Sequence, residues 1–183
     1  MKMTRNAAIG MFQTLGAMAL GNLNDEVLTA TMDNFNAFRK VADDFEALKK
    51  ELHKRIYGDV EKMEEAERKR YTDFMSLLER MGRTKEAEKI DELAKLAKDT
   101  YADLYAMREK EVKVLVSLLN KEIDVEVTPV DADEFCKGVI RGKKDTPIHE
   151  IRAIFSFMFK KEEKNEDEKK DFSELDELLK DKE

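Results

Sequence analysis

The stretch from Asn24 to Tyr57, NDEVLTATMDNFNAFRKVADDFEALKKELHKRIY, decides the fold. No proline or glycine interrupts it, Asn24 can cap its first turn, and Asp25 and Glu26 suit the positive end of the dipole. The positions that form one packing face of this stretch, which we call its seam, recur at spacings of three and four. This pattern predicts one helix on the order of 50 Å long. The seam positions are Thr31, Phe35, Phe38, Ala42, Phe45, Leu52 and Ile56. A helix of that length must lie along other long helices, of this chain or of another copy.

A second long helix is predicted over residues 84–122, with Thr84 as its cap. Its seam keeps heptad spacing and is interrupted by Arg108 and Glu111. The seam residues are Ala87, Ile90, Ala94, Ala97, Tyr101, Leu104, Leu115 and Leu118. Between these two long helices, a shorter and more charged helix is expected over residues 59–81.

The N-terminal residues admit two interpretations. Lys2 and Arg5, followed by an apolar run that closes on Ala17-Met18-Ala19, are typical of a signal peptide. The same run also has one broad apolar helical face, so we favour a first helix. That face consists of Ile9, Phe12, Leu15, Ala19 and Leu23. The glycines predicted to end the first three helices are Gly21, Gly58 and Gly82.

Beyond residue 122 the pattern changes to alternation. Ile123, Val125 and Val127 alternate with polar residues up to Pro129, which is typical of a half-exposed strand. No partner strand is predicted, so the segment is expected to be an extended linker. The alternative is a strand that pairs with its twin in another subunit.

Two shorter helices are predicted next. The first covers residues 131–140, with Asp131 as its cap. Its buried face is predicted to consist of Phe135, Val139 and Ile140. The second runs from Pro147 to Lys161, and its wide apolar surface predicts that it packs on the bundle. That surface consists of Ile148, Ile151, Ile154, Phe155, Met158 and Phe159.

The chain ends in a charged tail that contains a short amphipathic helix by its pattern. In this tail Phe172, Leu175, Leu178 and Leu179 recur at spacings of three and four. They are predicted either to pack back on their own bundle or to bind in a partner's groove.

Composition excludes several classes of protein. The chain has 183 residues, a net charge of −7 and one cysteine, Cys136, so a disulfide scaffold and a cysteine zinc site are excluded. Nonspecific binding of nucleic acid is not expected of so acidic a chain. No apolar run is long enough to span a bilayer, and a cytoplasmic location is expected.

Motifs for catalysis or metal binding are not found. The residues three before His53 and His149 are Lys50 and Thr146, so the Glu-x-x-His pattern of di-metal bundles is absent. Neither a nucleophile elbow nor a phosphate-binding glycine loop occurs. Cys136 is predicted to be a buried apolar group. We therefore expect no catalytic residue, metal or cofactor, and an enzyme with carboxylates in the bundle interior is the weakest alternative.

Two basic clusters are candidate anion sites. Arg141, Lys143 and Lys144 precede a predicted helix start at Thr146, where free backbone donors and the dipole favour an anion. The second cluster, at the end of the long helix, consists of Lys49, Lys50, His53, Lys54 and Arg55. In both clusters the alternative is that the cations pair with acids on neighbouring helices.

Two groups of residues carry a family resemblance. The first runs from Asn6-Ala7-Ala8-Ile9 through Phe12-Gln13-x-Leu15 to Gly21-Asn22-Leu23-Asn24 and the helix Arg39-Lys40-Val41-Ala42-Asp43-Asp44-Phe45-Glu46. The second is Val125-x-Val127, Asp133-Glu134-Phe135 and the closing Phe157-Met158-Phe159. Together they cover about half of the chain and resemble small helical proteins of unknown function encoded in phage and prophage modules. The resemblance implies a phage-like origin and an accessory, non-enzymatic role.

These observations predict an all-α protein: an elongated helical bundle or coiled-coil hairpin with a small C-terminal helical subdomain. The predicted domains are residues 1–122, 123–161 and 162–183. We expect a homo-oligomer that binds a host or virion protein in the host cytoplasm, with no nucleic acid or membrane as partner. The alternative is an anti-defence protein that sequesters a small anionic nucleotide signal between subunits at the basic loop before Thr146.

Overall fold

The computed structural model describes residues 1–142 and 148–159, and within them the chain is almost wholly helical. Its seven α-helices are α1 (Arg5–Gly16), α2 (Asp25–Tyr57), α3 (Glu65–Arg83), α4 (Ala87–Thr100), α5 (Ala102–Asn120), α6 (Ala132–Gly142) and α7 (Ile148–Phe155). Two 3₁₀ turns, Val60–Lys62 and Ser156–Met158, and two short strands, β1 (Lys2–Thr4) and β2 (Glu122–Asp124), complete the described elements. The predicted all-α class is confirmed, whereas the bundle or coiled-coil arrangement stays a prediction.

The chain divides into two compact units. The first contains residues 1–18 and 32–127, and the second contains residues 19–31 and, of the described residues, 128–142 and 148–159, so the division falls inside α2. The buried apolar residues of the first unit include Ala8, Leu15, Phe38, Phe74, Leu93 and Ala97. Those of the second include Leu23, Val27, Phe135, Val139, Ile151, Phe155 and Met158. The predicted domain boundaries at residues 122 and 161 stay a prediction.

The long helix α2 has the bounds that its sequence predicts. The Asn24 side-chain oxygen accepts a hydrogen bond from the Val27 amide at 2.9 Å and so caps the first turn. At the other end Gly58 has φ of 83°, and its amide donates to the Lys54 carbonyl at 2.9 Å. Gly58 therefore ends the helix in the left-handed conformation that glycine adopts most readily.

The other two predicted glycine stops are wrong. The predicted first helix is present, but it ends at Gly16, and the Ala17 amide donates back to the Gln13 carbonyl at 3.1 Å, well before Gly21. Gly82 lies inside α3, which continues to Arg83. Neither Gly21 nor Gly82 has a positive φ, so neither uses the conformational freedom on which that prediction rests.

The charged third helix begins later than predicted. The Asp59 carboxylate accepts from the Glu61 amide at 3.3 Å and caps a separate 3₁₀ turn, Val60–Lys62. Met63 and Glu64 are extended, and α3 starts at Glu65. The acids that favour a helix start are thus divided between two caps.

The second long helix, predicted over residues 84–122, is in fact two helices that meet at Tyr101. Tyr101 leaves helical geometry, with φ of −129° and ψ of 46°. Its ring packs against Phe74 of α3, with centroids 5.7 Å apart, and the Arg70 guanidinium lies 5.9 Å from its centroid. Contact with α3 therefore accompanies the break, although the heptad spacing continues through it. Thr84 does not cap α4, because its hydroxyl donates to the Arg80 carbonyl at 2.8 Å at the end of α3.

The start of the alternating segment, Glu122–Asp124, is a paired strand, whereas residues 125–129 are not part of it. β2 pairs antiparallel with β1, with Met3 opposite Ile123, and the Val125 amide donates to the Met1 carbonyl at 2.8 Å. The extended-linker prediction is therefore wrong, and the partner is the chain's own N-terminal strand. No sequence pattern indicates this partner, because β1, with the residues Lys-Met-Thr, is too short to show alternation.

The second unit has a small aromatic core of its own. Asp131 caps α6 by accepting from the Glu134 amide at 3.0 Å, as predicted. Phe135 meets Phe155 edge to face, with centroids 5.3 Å apart. Helix α7 ends at Phe155, earlier than the predicted Lys161, and a 3₁₀ turn follows in which the buried Met158 accepts from the Val130 amide through its carbonyl.

Helix α7 packs on α6 of its own unit through part of its apolar surface, and packing on the long-helix bundle stays a prediction. Ile151, Phe155 and Met158 are fully buried, whereas Ile154 is 40% exposed. The predicted start at Pro147 lies outside the described residues. Among the helices that the structure describes, none has both the length and the apolarity needed to cross a membrane.

Candidate functional site

Four polar side chains from three helices of the first unit converge in one hydrogen-bonded cluster. His53 comes from α2, Tyr71 from α3, and Arg108 and Glu111 from adjacent turns of α5. Glu111 is only 2% exposed, and a carboxylate is almost never buried to this extent unless it is paired. We call this set, His53, Tyr71, Arg108 and Glu111, the buried cluster.

Hydrogen bonds link the four side chains of the buried cluster. Glu111 Oε2 accepts from Arg108 Nη1 at 2.6 Å, and Oε1 lies 2.9 Å from His53 Nδ1. A carboxylate has no proton to give, so Nδ1 carries the hydrogen and donates it. His53 Nε2 lies 2.6 Å from Tyr71 Oη, within hydrogen-bond distance. All four side chains of the buried cluster are therefore connected by hydrogen bonds.

Tyr57 packs its ring against two rings of the buried cluster, those of His53 and Tyr71. Its ring lies 4.6 Å from the His53 ring and meets Tyr71 edge to face at 5.5 Å between centroids. Its hydroxyl is buried and has no hydrogen-bond partner among the described residues. Burial, with the charge of Glu111, raises the pKa of Tyr57 to about 12 and also raises the pKa of Tyr71. Both phenols therefore stay protonated near neutral pH.

An open groove lies beside the buried cluster, between α3, α4 and α5. Its volume is about 560 Å³, within the range of binding pockets for small ligands and peptide side chains. The apolar part of the lining consists of Leu78, Met81, Ile90, Tyr105 and Val112. The apolar surface continues along α5, since Val112 is 40% exposed and Val116, one turn later, is 50% exposed.

The polar rim of the groove carries both signs of charge. Arg108, Glu109 and Lys113 line it from successive turns of α5. Glu109 and Lys113 are exposed, and within residues 1–142 and 148–159 neither makes an ion pair. Arg108 lines the groove and also holds Glu111, so it belongs to both the groove and the buried cluster.

The residues predicted from sequence as sites are not placed by the structure. Arg141 falls in α6, whose last residues have side chains that are not described. Lys143, Lys144 and Thr146 of the predicted anion site lie outside the described residues. The same holds for the predicted partner-binding residues of the tail, Phe172, Leu175, Leu178 and Leu179.

The second basic cluster follows the ion-pair alternative in most of its members. Lys49 pairs with Glu46, Lys54 with Asp59, and Arg55 with Glu51, all at the surface. His53, grouped with these cations in the sequence, faces the buried cluster instead. The sequence signal for the buried cluster is the pair Arg108 and Glu111, two polar residues three positions apart that interrupt the apolar seam of α5.

Other reactive side chains do not form a second site in the described part of the chain. No group of three or more His, Cys, Asp or Glu side chains there is placed to hold a metal ion. Cys136 is buried as predicted, and burial raises the pKa of its thiol. The buried cluster and the groove are therefore the features that a function can be argued from.

Comparison of the chain with protein-family models, with curated proteins and with solved structures found no match.

Proposed function

We propose that this chain works by binding, and that the groove between α3, α4 and α5 receives an amphipathic helix of a partner protein. The observation that carries the proposal is the groove itself, about 560 Å³ with an apolar lining that continues to the half-exposed Val116. Helix-in-groove recognition uses such a surface, because side chains at spacings of three and four fill it in turn.

The charges on the rim specify the chemistry of that helix. Arg108 and Lys113 are cations on one helix, next to an apolar floor, and Glu109 is the acid between them. A helix with acidic residues beside its apolar face can pair with both cations while its apolar side chains enter the groove. The proposed occupant is therefore an acidic amphipathic helix.

The buried cluster supports binding over catalysis. His53 Nε2 faces the Tyr71 hydroxyl, so the histidine could act as a base only by taking the proton of that phenol. Both nitrogens of His53 are engaged, Nδ1 by Glu111 and Nε2 by Tyr71. Tyr71 and Tyr57 have raised pKa values, which disfavours their use as bases.

The biological role that we propose is that of a phage-type accessory protein whose partner is a host or virion protein. What supports this role is the resemblance of the N-terminal and C-terminal residue groups to phage and prophage proteins. The proposed small anionic ligand depends on Lys143, Lys144 and Thr146, outside the described residues, so the groove is the better-supported site.

The test uses a labelled helical peptide of about 15 residues, with leucines along one face and glutamates beside them. Fluorescence anisotropy with the full chain should show saturable binding. Val112→Glu, which places a charge in the groove, should weaken binding about tenfold or more. Leu96→Glu is the matched control, since Leu96 is also exposed, at 51%, but does not line this groove.

Two outcomes would contradict the proposal. One is equal loss of binding in both variants. The other is a dimer of the chain, detected by light scattering, that Val112→Glu disrupts while no peptide binds. In that case the groove is covered by a second copy and not by a partner's helix.

A further inference from the structure

The chain itself contains a segment with the chemistry that the groove requires of its occupant. Phe172, Leu175, Leu178 and Leu179, in the tail outside the described residues, recur at spacings of three and four, and acidic residues lie beside them. We propose that this tail, residues 171–183, fills the groove of its own chain when no partner is bound, an inference that rests on the proposed function. A partner's acidic helix then binds by displacing the tail.

The charge of the tail complements the rim of the groove. Residues 171–183 contain two lysines and six acidic residues, which are Asp171, Glu174, Asp176, Glu177, Asp181 and Glu183. On the rim, Lys113 is exposed and makes no ion pair within the described residues. Arg108 is part exposed, and its guanidinium has N–H donors beyond the one that holds Glu111. Acids of the tail can therefore pair with both cations while Arg108 keeps its contact with Glu111.

The apolar pattern of the tail matches the lining of the groove. A helix over residues 172–179 would present its phenylalanine and three leucines along about 11 Å. In the groove the apolar lining includes Val112, and the half-exposed Val116 extends that surface by one turn of α5, about 6 Å. An exposed apolar surface of this kind is what the apolar face of an amphipathic helix buries.

The covalent connection favours the tail over a separate helix. Residues 160–170 join the tail to Phe159, the last described residue, and each of them is charged except Asn165. A segment of this composition has no apolar face with which to compete for the groove, and it spans up to about 40 Å when extended. A binding segment on such a connection acts at an effective concentration of about a millimolar. Even weak docking of the tail therefore competes with a partner's helix.

Fluorescence anisotropy of the labelled glutamate peptide with the full chain measures the competition. Leu175→Glu places a charge on the apolar face of the tail and leaves every described residue unaltered. It should free the groove and tighten peptide binding by about tenfold. Lys180→Gln is the matched control, because it changes the net charge equally but lies away from the apolar face of the helical pattern. Its affinity for the peptide should stay close to that of the unaltered chain.

A labelled peptide of residues 171–183 tests the contact directly. It should bind the Leu175→Glu chain, whose own tail no longer competes. Val112→Glu added to that variant should weaken the binding about tenfold or more. Leu96→Glu added in its place should not, because Leu96 does not line this groove.

The outcomes separate the two proposals. If Leu175→Glu and the unaltered chain bind the glutamate peptide equally well, the tail is not the occupant and the groove proposal stands. If the glutamate peptide binds neither of these chains, the groove proposal fails and the tail proposal fails with it. If light scattering shows a dimer of the unaltered chain that Leu175→Glu dissociates, the tail lies in the groove of a second copy, and the proposed contact within one chain is overturned.

Discussion

Arg70 of α3 binds both carboxylate oxygens of Asp103 of α5, at 2.8 and 2.5 Å. Asp103 stands two residues after Tyr101, where the helical path breaks, and Arg70 also lies against the Tyr101 ring. One guanidinium therefore connects α3 to the start of α5 by a forked ion pair and a contact with the ring of the residue at the break. These two contacts hold the break between α4 and α5 at Tyr101, which we call the corner.

The ion pair at this corner should give a dependence of stability on acid. The hydrogen bond from Arg70 lowers the pKa of Asp103 to about 2. A lowered pKa contributes stability above the unfolded value, about 4, and the contribution is lost as the pH falls toward the folded value. The melting temperature of the chain should therefore fall more steeply between these pH values than that of Asp103→Asn. The difference should be small because both side chains are about half exposed, and equal slopes would contradict it.

The Phe74 ring should contribute more to the free energy of unfolding than the Arg70–Asp103 ion pair. Phe74 is fully buried and packs against Tyr101. Phe74→Ala should lower the free energy of unfolding by about 3–5 kcal/mol, from lost burial and the cavity that remains. Urea denaturation measures this, and Leu96→Ala, an exposed residue of α4, should change it by less than about 0.5 kcal/mol.

Local signals predicted the elements that depend on local chemistry. The cap at Asn24, the left-handed Gly58 and the cap at Asp131 are each made by residues within four positions of one another. Helical spacing does not predict the corner at Tyr101, because the contact that accompanies it, with Phe74 of α3, lies 27 positions away in the sequence. The pairing of β1 with β2 was missed for the same reason, since Met3 and Ile123 belong to opposite parts of the chain.

The candidate site could be predicted only in part. Arg108 and Glu111 can be recognised in the sequence, because they are polar residues that interrupt an apolar seam. A buried ion pair on a helix produces such an interruption. Their partners, His53 and Tyr71, come from two other helices, and spacing along one helix carries no information about them. The groove depends on how α3, α4 and α5 meet, and therefore on the corner that the sequence pattern did not show.

Removal of the carboxylate from the buried cluster should be costly. Glu111→Ala leaves Arg108 and the Nδ1–H of His53 without their acceptor. We expect the free energy of unfolding to fall by about 1–3 kcal/mol, because these donors lose their partner but remain part exposed to water. Glu109→Ala removes the same charge from the exposed rim two residues earlier and should change stability by less than about 0.5 kcal/mol. Similar values for the two variants in urea denaturation would show that Glu111 is not the centre of this cluster.

Gly138 of α6 lies close to residues 22–23 of the same unit. A Cβ added there would lie 2.2 Å from Leu23 Cδ2 and 3.2 Å from the Asn22 carbonyl oxygen, so a methyl group must displace its neighbours. Gly138→Ala should lower the free energy of unfolding by about 1–3 kcal/mol, because Leu23 is buried and has little room to move. Gly10→Ala is the matched control inside α1, where no atom lies within 4 Å of the added carbon, and it should raise stability by about 0.4–1 kcal/mol. Thermal or urea denaturation of both variants measures the contrast, and a Gly138→Ala chain as stable as the unaltered one would mean that helix α6 does not pack this closely on residues 22–23.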